Sequence, residues 1–252
     1  MTLVLNEIHL IEGLNKAFWI AGADRRLSKT DGSYFGTRKK LFQIPYINGA
    51  ISYFGLAAYQ FRSKTVYMSD IIQNFIRHNS DKKNISEFSI TFQKELNRII
   101  PQNVLNKSAS GFHICGSENG LPDFWHFSNI GKLDSFQYND IKDIYYPATS
   151  HFLKYHAIKV LNWDGKDPLK IDHKPFVYRN GDFRGHALTS EVVDNMIKTL
   201  TSFPDFNIGK FPEDYPKYFR FKFELIAYIY KTWAKNNIIA KPIDVVMLNF
   251  GI

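Results

Sequence analysis

Cysteine is nearly absent: Cys115 is the one thiol in 252 residues. That excludes an internal disulfide and suits a reducing compartment. No apolar run approaches the roughly 20 residues that span a bilayer. The first residues also lack a basic stretch followed by an apolar one, so no secretory signal is expected. These absences point to a cytoplasmic protein that avoids membranes. Internal repeats, heptads and low-complexity segments are missing too. The glycine-containing "NGDFRG" (Asn180–Gly185) has no P-loop or G-x-G-x-x-G context and reads as a turn. The eight histidines follow no metal-ligand spacing; His151 and His156 are five apart, and His113 and His126 fall on separate expected strands. Neither a metal nor a cofactor is expected. Cys115, in "GFHICG", reads as a buried strand residue, because no helix N-terminus or cation is indicated beside it.

What is present fits one large domain or two small ones with a full core. Hydrophobic content of 44% and charged content of 22% are ordinary for a globular chain. The 22 Phe and 14 Tyr imply aromatic layers between packed elements. The net charge of +8 attracts polyanions at long range without specifying a fold. It concentrates locally at Arg25, Arg26, Lys29, Arg38, Lys39 and Lys40. No nucleic-acid-binding motif accompanies the cluster, so a solvated surface is favoured over a nucleic-acid footprint.

Apolar periodicity divides the chain. Thr2–Leu10 and Ala17–Ala23 read as strands around a turn at Gly13, and "KTDGSYFG" carries an Asp-Gly turn signal. Lys40–Ile44 and Ala50–Leu56 form a further strand pair. The period then changes: Ile71, Ile72, Phe75 and Ile76 share a helical face behind Ser69. Phe88, Phe92, Leu96 and Ile99 do so behind Ser86, with Pro101 closing the helix. Strands are expected again at Gly111–Cys115 and Asp123–Ile130, and helices near 150–161, 190–203 and 216–235. A final strand runs from Ile243 to Phe250. The stretch 162–186 reads as a loop or hairpin insertion. One domain over 1–252 is expected, of α+β class: a four-layer α/β/β/α sandwich burying each apolar face once.

Three local patterns carry chemistry. Thr2 follows the initiator Met and opens an apolar strand. "ADRR" (Ala23–Arg26) ends the next strand, and Lys40-Leu41 opens a later one. In this the first 60 residues resemble the proteasome β-subunit family, and more broadly the N-terminal nucleophile (Ntn) hydrolases. That family has a terminal Thr at a strand start, Ala-Asp-x-Arg ending the next strand, and Lys-Leu or Lys-Ile opening a later one. The Asp24-to-Lys40 spacing agrees with the family, while the first hairpin is a few residues longer. The likeness is good over the first quarter of the chain and topological beyond it. The family's acidic residue and Ser-Gly-Gly before the closing strand have no counterpart in "KTWAKNNIIAKPIDVV" (Lys231–Val246).

The resemblance implies a threonine-type amide hydrolase, its substrate a peptide or small amide, that self-associates into a homo-oligomer. Removal of Met1 would free the Thr2 α-amine, whose ordinary pKa near 8 suits a general base for its own hydroxyl. Lys40 would stabilise the alkoxide by charge, Asp24 would orient Lys40, and Arg26 would complete the ion network. Gly55, in "YFGLAA", matches the family's glycine that offers an N–H to the oxyanion. Ser150, in "YPATSHFL", falls where the family has a serine assisting the amine. The alternative reading is an inactive proteasome-like scaffold or regulatory subunit.

Overall fold

The computed structural model describes residues 2–10, 16–29, 31–134, 137–151, 176–182, 184–200, 202–205, 212–235 and 237–250. Two antiparallel sheets dominate. The first has the order β14 (Phe176–Gly181), β1 (Leu3–Leu10), β2 (Ala17–Asp24), β15 (Ile243–Phe250). The second runs β13 (Thr149–Ser150), β10 (Leu121–Ser128), β9 (Gly111–Glu118), β6 (Gly49–Phe54), β5 (Leu41–Ile44). Among the described residues, three hairpins pair only with themselves: β3 (Arg26–Ser28) with β4 (Tyr34–Thr37), β7 (Ala58–Phe61) with β8 (Lys64–Tyr67), and β11 (Ile130–Asp134) with β12 (Gln137–Ile141). Helices are α1 (Met68–His78), α2 (Ile85–Ile99), the short α3 (Gln102–Leu105), α4 (Arg184–Leu200) and α5 (Tyr215–Trp233).

The expected four-layer α/β/β/α sandwich is overturned. The described chain is mainly antiparallel strand with few helices, divided among two larger sheets and three separate ribbons. The reason is local. Short turns let 26–37, 58–67 and 130–141 close as hairpins on themselves, whereas an element count assigns every strand to a layer. The helix expected at 150–161 lies outside the described residues, apart from its first two, which are strand Ser150 and His151 just after it. Part of the expected insertion is sheet: Phe176–Gly181 pairs along β1, with Leu3 opposite Gly181.

The helices start where backbone donors find partners. Asn84, rather than Ser86, caps α2 by accepting from Glu87 N at 2.9 Å, and α1 starts at Met68 without a side-chain cap. Phe88 and Phe92 of α2 pack on Phe112 and Phe127, with Phe92 edge-on to Phe112 at 5.3 Å. Phe219 and Phe223 of α5 pack on Leu3, Leu5, Phe18 and Ile20. A third cluster draws on both sheets, joining Val4, Trp19, Ala21 and Ala23 to Leu41, Ala50, Phe54 and Phe124. Every residue of β1 and β2 is buried as a result. Among the described residues, no helix is long and apolar enough to cross a membrane.

Candidate active site

Strand register assembles the site. Val4 lies opposite Ala23, so the start of β1 meets the end of β2 and brings Thr2 to Asp24. Lys40 enters from the start of β5 in the other sheet, where its carbonyl accepts from Tyr53 N at 3.2 Å. All three are buried: Thr2 is 3% exposed, Asp24 0% and Lys40 2%.

The hydrogen bonds in this cluster are complete. The Lys40 ammonium donates to Thr2 Oγ1 at 2.5 Å, to Asp24 Oδ2 at 3.2 Å and to the Arg26 carbonyl at 2.5 Å. That accounts for all three N–H groups. Asp24 accepts four bonds. Thr2 Oγ1 and Leu3 N (3.0 Å) donate to Oδ1; Lys40 and Arg26 N (3.0 Å) donate to Oδ2. The Thr2 hydroxyl thus gives its proton to a carboxylate while receiving one from an ammonium. Burial pushes the Lys40 pKa below its ordinary value; Asp24, by charge and hydrogen bond, opposes that shift without cancelling it, and the Arg26 charge adds to it. Such an oxygen is polarised toward alkoxide character, and any negative charge on it faces a cation in a low-dielectric setting.

Arg26 contributes its backbone to this network, while its guanidinium lies 5.0 Å from the Tyr34 ring centroid. Gly55 lines the same small cavity as Thr2, Arg26, Leu27, Ser28, Lys40, Tyr53 and Ala57. The cavity measures about 20 Å³, room for one water. Gly55 has φ +84°, and a Cβ there would lie 1.9 Å from the Ala109 carbonyl oxygen, so the turn requires glycine. Ser150 is not brought to the cluster. It sits on β13, donating from Oγ to Asp123 Oδ1 at 2.8 Å. β13 and β5 are opposite edges of the five-stranded sheet, four spacings of ~4.8 Å, or about 19 Å, apart.

Other residues reach Thr2 from β14. Asp182 N donates to the Thr2 carbonyl at 2.6 Å. Gly181, at φ +84°, approaches so closely that a Cβ would lie 1.9 Å from that same oxygen. Burial raises the Asp182 pKa, but hydrogen bonds from Arg184 (2.9 Å from Nε) and Tyr230 (2.7 Å) outweigh it and leave the carboxyl lowered. The "NGD" turn signal was visible in the sequence, yet nothing local says that this turn lands on Thr2. Among the described residues, no group of three His, Cys, Asp or Glu side chains is placed to hold an ion.

No protein-family description matches the chain, and no curated protein matches it. Among solved structures, the chain is similar to the Gly-1 mutant of Anbu from Hyphomicrobium sp. strain MC1. The TM-score is 0.47 and the identity 13%, over 99% of this chain and 82% of that one. At that level no property passes from one protein to the other, and the chemistry rests on the side chains themselves.

Proposed function

We propose that this protein is an N-terminal threonine hydrolase of amide bonds, with peptides as the leading substrate class. The observation that carries the reading is the Lys40 Nζ–Thr2 Oγ1 contact of 2.5 Å, with Asp24 bridging both groups. The chain carries Met1 before Thr2, so the Thr2 nitrogen is an amide until that residue is removed. Once freed, the α-amine takes the hydroxyl proton as Oγ1 attacks the substrate carbonyl. Lys40 stabilises the charge on Oγ1, and Asp24 keeps the ammonium oriented. The Arg26 carbonyl fixes the third Lys40 proton. The Gly55 N–H is the proposed oxyanion donor, on the strength of its position in the wall of the same cavity. The α-ammonium gives that proton to the leaving nitrogen as the tetrahedral intermediate collapses, so the amine departs and an ester is left on Thr2. Water activated by the same α-amine then releases the acid. Ser150 has no part in this scheme. The reading carries with it self-association into a homo-oligomer, checked by sedimentation.

The test is intact-mass spectrometry with and without a threonine-directed electrophile such as a β-lactone. The expected result is loss of Met1 and one adduct, absent in Thr2→Ala. Retention of Met1 in protein that hydrolyses amides would sink the mechanism. The near-complete burial of Thr2 and the one-water cavity favour a second reading, a non-cleaving scaffold of the same architecture. It requires that no adduct form on processed protein.

A further inference from the structure

The β11–β12 hairpin sends one side chain to the back of the Thr2 site. The Tyr138 hydroxyl accepts from Gly181 N at 2.7 Å and offers its single proton to Asn180 Oδ1 (3.0 Å) and Gly181 O (3.1 Å). Gly181 is the residue at which a Cβ would collide with the Thr2 carbonyl, and the next amide, Asp182 N, donates to that carbonyl. One hydroxyl therefore holds both polar groups of the glycine that abuts the nucleophile's own backbone. The ring is seated independently, 5.7 Å from Phe54 between centroids. The remaining Asn180 amide binds His113 Nε2 at 2.6 Å, and His113 Nδ1 meets Asn6 of β1 at 2.7 Å.

We infer that Tyr138 is a positioning residue for the Thr2 site, acting through Gly181 and Asp182 to hold the Thr2 backbone where its hydroxyl meets Lys40. This rests on the Thr2 reading above. A phenol suits that role because it stays a neutral donor and acceptor over the working range. Burial pushes its pKa up to about 12, with the Gly181 hydrogen bond opposing the rise and Asp182 adding to it. Thr2 immediately precedes β1, whose register with β14 begins at Leu3 opposite Gly181. A displacement of about 1 Å at a reacting atom costs on the order of 100-fold in rate.

The experiment compares Tyr138→Phe and Asn180→Ala with the parent chain in two readouts. One is the rate of Thr2 acylation by the β-lactone, divided into saturation constant and limiting rate. The other is amide hydrogen exchange of the peptide containing Gly181 and Asp182. Tyr138→Phe keeps the ring on Phe54 and removes the hydroxyl. It is expected to lower the limiting rate about 10- to 100-fold with a saturation constant within about twofold, and to deprotect the 181–182 amides. Asn180→Ala leaves both Gly181 bonds to the hydroxyl and is expected to stay within about threefold of the parent rate. Equal losses in the two variants overturn the clamp, as does unchanged protection in Tyr138→Phe. If the Phe variant does not fold, the parent decides: unprotected exchange at Gly181 and Asp182 overturns the proposal, and strong protection that Asn180→Ala preserves upholds it. A parent chain that never labels at Thr2 sinks the hydrolase reading alone, and the exchange data still settle the clamp.

Discussion

Lys40 Nζ lies 3.2 Å from Asp24 Oδ2, joining the start of a strand in one sheet to the end of a strand in the other, with both side chains almost fully buried. They are sixteen positions apart in sequence, with the whole β3–β4 ribbon between them. Bringing two charges out of water is costly, and the cost is offset here by hydrogen bonds that use every donor of one group and four acceptor sites of the other. Removing one partner leaves the other stranded.

Lys40→Met should therefore destabilise the fold by about 3–5 kcal/mol, because a buried carboxylate loses its cation. Thr2→Ala removes hydrogen bonds but leaves the ion pair and should cost only about 1–2 kcal/mol. Urea denaturation measures both. A Lys40→Met variant as stable as Thr2→Ala would mean that the pair carries little of the local energetics.

The pH profile of acylation should be bell-shaped. The α-amine must be neutral to act as base, so the rate should climb through about pH 8. Lys40 must be charged, and burial sets its pKa below the ordinary lysine value, so the alkaline decline should begin below about pH 10.4. Labelling rates from about pH 6 to about 11, on protein shown by circular dichroism to stay folded, check this. A plateau persisting beyond the ordinary lysine range would contradict the role given to Lys40.

Gly55→Ala should destabilise by more than about 2 kcal/mol, since its φ of +84° disfavours a side chain and the new Cβ collides with the backbone carbonyl of Ala109. Gly120→Ala is the control: it shares the positive φ, +82°, but meets no atom within 4 Å. Thermal melts of the two variants separate collision from backbone strain, and equal losses would assign the whole effect to strain.

Acid sensitivity should trace in part to Glu7. Burial raises its pKa, but the His9 hydrogen bond, the Lys222 and His9 charges and the Tyr215 hydrogen bond together bring it to about 2, from an ordinary 4.5. A depressed carboxylate pKa contributes stability that is whole above the unfolded value and is lost as pH falls toward the folded one. The window is thus about pH 4.5 down to 2, and the contribution is up to about 3 kcal/mol. Glu7→Gln should flatten the stability curve across that window in denaturant titrations. An unchanged slope would place the acid response elsewhere.

Much of the chain's local structure was legible in its periodicities, for a physical reason. Mainly apolar segments such as Leu3–Leu10, which also holds Asn6, Glu7 and His9, and Ala17–Asp24 are covered on both faces, and the spacing of Phe88, Phe92 and Leu96 puts them on one helical side. The layer architecture did not follow from that order, because hairpin turns close ribbons without regard to layers. For the site, Thr2, Asp24, Lys40, Arg26 and Gly55 could be named from sequence; Thr2, Lys40, Arg26 and Gly55 line one cavity, and Asp24 is hydrogen-bonded to Thr2 and Lys40 behind it. Ser150 was placed by resemblance, and strand order puts it at the far edge of a sheet.

By itself, then, the sequence pointed to candidate side chains for chemistry and to most of the longer strands and helices, since both depend on residue type and short-range spacing. Only the tertiary structure decided that part of an expected loop or hairpin insertion becomes the strand beside β1, that Gly181 and Asp182 abut Thr2, and that the Tyr138 hydroxyl bonds to Gly181. Those contacts join residues far apart in the chain, and they are set by register and close packing between elements, which no local pattern encodes.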